Sequence, residues 1–80
     1  MSRLEYARFY DEQLEVKKWK VSEVAGKISQ KFDPHYTVER AYEFMKGRNR
    51  PNAGEARAWE ELFEVQLHPR YYGFGEVSKP

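Results

Sequence analysis

Apolar residues return every three or four positions along most of this chain. Leu4, Ala7, Tyr10 and Leu14 form one such stripe, widened by Tyr6, Phe9 and Val16. This spacing predicts a first helix over about residues 2–18. Ser2 is its expected cap, and Lys17 and Lys18 suit the negative end of its dipole. A second helix is predicted from Ser22, a good N-cap with Glu23 in the first turn. Val24, Ala25, Ile28 and Phe32 would be its buried side, and Asp33-Pro34 its stop. Gly26 weakens that helix, which would make sense if another helix packed close beside it. Thr37 caps a third helix with Tyr36, Ala41, Phe44 and Met45 inward, and Gly47 stops it with a left-handed backbone. After Arg48-Asn49-Arg50 and Pro51-Asn52, a fourth helix over about 53–65 has Ala53, Ala56, Trp59, Leu62 and Phe63 on its apolar face. Glu60, Glu61 and Glu64 are expected on its solvent side.

The last fifteen residues lose the helical period. Residues 66–77 carry Gly73, Gly75 and the aromatics Tyr71, Tyr72 and Phe74, and read as an extended arm or a strand, or as a segment that packs back on the body. The pattern therefore predicts an all-α, compact domain of four to five helices over 1–65, with a C-terminal arm over 66–80.

With 80 residues and no cysteine, the core must form without a disulfide or a thiolate metal site. Thirteen aromatic side chains supply the bulk for it. The formal net charge is only +1, so a basic footprint for nucleic acid must come from local clustering. The clearest cluster is Lys46, Arg48 and Arg50 around the Gly47 stop, a pattern that suits a phosphate-bearing partner. No apolar run is long enough for a membrane span or a secretory signal, so a cytoplasmic protein is expected.

Over about residues 20–65, without gaps from Tyr36 to Val65 but not before it, the order of elements resembles the helix-turn-helix domain of the Cro and C1 phage repressor family, also called XRE-like. The carriers are Val21-Ser22-Glu23-Val24-Ala25, then Met45-Lys46-Gly47-Arg48-Asn49-Arg50-Pro51, then Leu62-Phe63-Glu64-Val65. The family's third helix ends in a Glu-basic-Gly-basic-x-basic-Pro run. This chain departs from it with Met45 in place of the Glu, and with a longer connection between the second and third helices. The resemblance implies a lambda-repressor-like fold whose third helix enters the major groove of double-stranded DNA. Thr37, Val38, Glu39, Arg40 and Glu43 would then face bases. Arg40 would pair with guanine, Glu39 would accept from cytosine, and Val38 would touch a thymine methyl. Lys20, Ser22, Lys46, Arg48, Asn49 and Arg50 would contact phosphates. A transcriptional regulator of phage, prophage or bacterial type is implied, acting as a homodimer through Tyr71, Tyr72 and Phe74.

Plainer readings stand beside these. Residues 47–51 could be only a helix stop and a loop, and Arg40 could simply pair with Glu43 or the Tyr36 hydroxyl. Glu39 and Glu43 would repel phosphates unless they point at bases, which favours a small helical protein-interaction module as the alternative function. His35 beside Asp33, and His68, have no metal-ligand spacing. There is no Gly-x-Ser-x-Gly elbow and no phosphate-binding Gly-rich loop. No catalysis, cofactor, small-molecule substrate or membrane partner is expected.

Overall fold

The computed structural model describes residues 3–74. Over them the chain forms four α-helices: α1 (Glu5–Lys17), α2 (Val21–Lys31), α3 (Val38–Lys46) and α4 (Ala53–Phe63). A short 3-10 turn (Pro69–Tyr72) follows. Among the described residues there is no strand. Ser2 lies outside them, so the expected cap of α1 does too.

Local chemistry explains most of the boundaries. The Thr37 Oγ1 accepts the Arg40 N–H (3.2 Å) at the start of α3, and the Asn52 Oδ1 accepts the Glu55 N–H (2.7 Å) at the start of α4. The cap of α2 is not Ser22. Lys20 is the N-cap and the helix begins at Val21, two residues earlier than a Ser22 cap would place it; the Lys20 N–H donates to the Glu23 carboxylate (2.7 Å), leaving Ser22 exposed within the first turn. Between α2 and α3, the Asp33 carboxylate accepts the His35 N–H (3.0 Å) and the Asp33 carbonyl accepts the Tyr36 N–H (2.9 Å). This Asx turn lets Pro34 lie in the connection without costing a helical hydrogen bond. Both α1 and α4 close on a non-glycine residue with positive φ, Lys18 (60°) and Glu64 (58°).

The core gathers around Trp59. Its indole stacks on Phe44 (centroids 4.3 Å apart) and on Phe63 (5.8 Å), and Tyr10 packs against it at 5.2 Å. Tyr6, Ala7, Tyr10 and Leu14 of α1, Val24, Ala25 and Ile28 of α2, and Ala41, Phe44 and Met45 of α3 complete it. Along α1, α2 and α4, three expectations of burial fail. Val16 is 73% exposed, because it follows the stripe's last contact near the end of α1. Phe32 lies beyond the last helical turn of α2 and is exposed, and Ala53 faces solvent at the first turn of α4. Gly26 is exposed too, and a Cβ there would meet nothing within 4 Å, so no helix packs against it.

The segment after α4 is not an extended arm. Tyr72 is 2% exposed and belongs to the core, with its ring 5.3 Å from that of Tyr6. Its hydroxyl donates to the Glu60 carboxylate (2.7 Å), which leaves the Tyr10 hydroxyl, 3.2 Å away, to donate to it. Glu60 is therefore not simply a solvated side chain, and residues 66–74 are part of the folded body. A chain this small gains from recruiting one more large aromatic into its core.

Candidate nucleic-acid interface

Helix α3 is clamped from behind. Its last carbonyls lack the usual partners within the helix; the Gly47 N–H reaches the Phe44 carbonyl (3.2 Å), and the residues at and just before the start of α1 supply further donors. The Leu4 N–H donates to the Gly47 carbonyl (2.9 Å), an Arg3 Nη donates to the Met45 carbonyl (2.9 Å), and the Tyr6 hydroxyl donates to the Phe44 carbonyl. The Arg3 cation also suits the negative end of the α3 dipole. Burial pushes the Tyr6 phenol up to about 12, with Glu55 adding to the shift and Arg3 opposing it. Gly47 is required twice over. Its φ is 64°, and a Cβ there would stand 2.7 Å from the Ala7 Cβ.

With Ala41, Phe44 and Met45 buried, a rotation of about 100° per residue puts Glu39, Glu43 and Lys46 on the side of α3 farthest from the core. Val38 and Tyr42 flank that stripe on one side and Arg40 on the other. All five expected base-contacting residues, Thr37, Val38, Glu39, Arg40 and Glu43, are exposed. Three of them already have partners, Arg40 through a contact with Glu55. Thr37 caps its own helix, and Glu43 accepts a hydrogen bond from Lys46 (3.0 Å). Tyr42, expected in the core, is 51% exposed, and Val38, at i−4 from it, is 41% exposed. Their spacing of four was the available signal that both leave the core together.

Arg40 pairs with neither Glu43 nor Tyr36. Its Nη2 lies 3.7 Å from Oε1 of Glu55 on α4, an acid that the sequence pattern did not single out. The Asn52-x-x-Glu55 spacing reads as a capping box, in which Glu55 would reach back to the Asn52 N–H. Instead the carboxylate turns inward. It accepts from the Tyr36 hydroxyl, which in turn accepts from the Trp59 Nε1–H (3.0 Å). The Glu55 side chain is only 8% exposed, against 57% for Arg40. Burial pushes the Glu55 carboxyl upward, opposed by the Tyr36 hydrogen bond and by the Arg40 charge.

The residues expected at phosphates divide. Lys46, Arg48 and Asn49 are exposed in and after the last turn of α3, and among the described residues the Arg48 side chain makes no ion pair or hydrogen bond. Arg50 is exposed but occupied, since its guanidinium donates to the Gly73 carbonyl (3.2 Å) and lies 5.9 Å from the Phe74 ring centre. Lys20 and Ser22 are exposed at the start of α2, yet Glu23 holds that end of the helix, where a phosphate would meet a carboxylate. Of the three expected dimer contacts, Tyr72 is corrected by its burial and its bonds to Glu60 and Tyr10. Tyr71 and Phe74 are half-buried, each with an arginine over its ring. His68 caps the 3-10 turn, its Nδ1 accepting the Arg70 N–H (3.1 Å).

Fold and site together define a small all-helical domain that clamps one helix from behind and leaves its front open to solvent. The chain matches no family model, no curated protein and no solved structure. Among the described residues, no helix is long and apolar enough to cross a membrane.

Proposed function

We propose that this is a helix-turn-helix domain that binds double-stranded DNA, with α3 in the major groove, as in the repressor family that its sequence resembles. The observation that carries this reading is the open front of α3. Thr37, Val38, Glu39, Arg40 and Glu43 are exposed together on a helix whose buried side is fixed by α1 and α2, and Lys46, Arg48 and Asn49 follow directly. Glu39 and Glu43 project away from the body, the direction that faces base edges rather than the sugar-phosphate walls when a helix lies in the groove. One domain offers few base contacts, so a transcriptional regulator built on it would act as two copies on a two-fold site.

One observation favours a second reading, a protein-interaction module. Val38 and Tyr42 form a neighbouring exposed apolar pair on the same helix, and the acids beside them suit a basic partner. A salt titration of binding to random duplex DNA separates the two. A DNA binder loses affinity steeply as salt rises, because phosphate contacts release counterions. The double variant Lys46→Glu with Arg48→Glu changes only exposed side chains, so it should fold normally and lose DNA binding. Undiminished binding by that variant would remove the phosphate contacts from the account. No binding of the native chain at low salt would favour the protein-interaction module.

A further inference from the structure

We infer that Glu55 is a positioning residue that sets the direction in which Arg40 reads DNA, so that part of the sequence preference is fixed from α4, a helix outside the groove. The inference rests on the DNA-binding reading above.

An exposed arginine on a helix samples many rotamers, and holding it in one of them costs entropy. Arg40 has a fixed anchor instead. The Glu55 carboxylate 3.7 Å away is held by the Tyr36 hydroxyl, and that hydroxyl is held by the Trp59 indole N–H (3.0 Å). Trp59 is fully buried among Phe44, Phe63 and Tyr10. Three links therefore connect the most rigid part of the core to one guanidinium on α3. The links start in turn from α4, from the connection before α3, and from α4 again.

A guanidinium has five N–H donors in a planar fork. Contact with Glu55 through Nη2 leaves donors free, and with 57% of the side chain exposed they can meet a base edge. A bidentate contact with guanine needs the plane of that fork oriented, and a carboxylate anchored at one corner orients it. Arg40 also borders the cleft that holds Asn49 and Arg50, so its fork lies between the front of α3 and the basic loop.

The test compares base preferences. Duplexes selected by the native chain define the preferred site, and Arg40→Ala locates the base pair at which preference depends on Arg40. Glu55→Gln keeps an acceptor for Tyr36 but removes the charge that anchors Arg40. It should lose roughly tenfold discrimination at that same base pair, with binding to random duplex little changed. The double variant Arg40→Ala, Glu55→Gln should lose no more there than Arg40→Ala alone, since Glu55 acts only through Arg40. A merely structural role for Glu55 would weaken binding to all duplexes alike, and that result overturns the inference. So does full retention of discrimination by Glu55→Gln, or an Arg40→Ala variant with unchanged preferences. Should Glu55→Gln fail to fold, Tyr36→Phe releases the same carboxylate and carries the same comparison. If the native chain binds no duplex at all, the DNA-binding reading itself fails. If it binds selectively and only the Glu55 result is negative, that reading survives.

Discussion

Two of the acids on helix α4, Glu55 and Glu60, each accept a hydrogen bond from a tyrosine hydroxyl outside the helix. Their surroundings differ. The Tyr72 hydroxyl bonded to Glu60 also takes a bond from Tyr10, so that relay ends inside the molecule and holds the C-terminal segment in the core. The Tyr36–Glu55 relay continues outward to Arg40, at the open front of α3. The same pair of groups can therefore close a small core or carry the core's rigidity to a surface. What decides between them is whether the third partner is another buried hydroxyl or a cation on an exposed helix.

The comparison breaks most visibly at Tyr72. Replacing it by Ala should cost about 3–5 kcal/mol, the usual range for truncating a buried aromatic. A domain of this size has little more than that in total, so denaturant unfolding should show a severely destabilised chain. A loss below about 1 kcal/mol would mean that the segment is peripheral to the core after all.

At Glu55 the effect should be smaller and opposite in sign. Burial raises its folded-state pKa above the ordinary value of 4.5. The group therefore stabilises the fold fully below that value, and the contribution is lost as pH rises through its folded-state pKa. Glu55→Gln imitates the protonated state and gives up only a 3.7 Å pair with an arginine that is itself more than half exposed, worth little. The variant should be as stable as the native chain or more so at neutral pH, with the difference vanishing towards pH 4. A neutral-pH Tm well below the native value would show that the Arg40 pairing is a net source of stability. An unchanged Tm with altered base preference would separate the surface relay from the buried one.

The smallest effect concerns neither relay and serves as their baseline. Gly26→Ala should raise stability by about 0.5–1 kcal/mol, because the site is exposed, helical and has open space where the methyl would lie. Destabilisation on thermal unfolding would mean that something does pack there.

The sequence already shows the four helices, the Thr37 cap and the Gly47 stop, because periodicity and local turn chemistry act over a few residues. It misses features that depend on distant partners. Ser22 has the better capping side chain, but the Glu23 carboxylate caps Lys20 and moves the helix start back. Tyr72 carries no helical period, and only the space beside Tyr6 and Tyr10 reveals that it belongs inside. Within the site, exposure of the Thr37–Glu43 face followed from the helical repeat. The role of Glu55 did not, because its capping-box position hides a contact made to Tyr36, nineteen residues away. Arg50 is similar: its basic charge is plain, but its bond to the Gly73 carbonyl appears only once the chain folds back.

The open front of α3 is the central claim, and selection of bound duplexes from a random DNA library by the native chain tests it most directly. The account predicts an enriched motif at low to moderate salt, lost in the Lys46→Glu, Arg48→Glu variant, with two-fold symmetry if two copies act together. Absence of any enrichment at low salt, from protein shown to be folded, would contradict it.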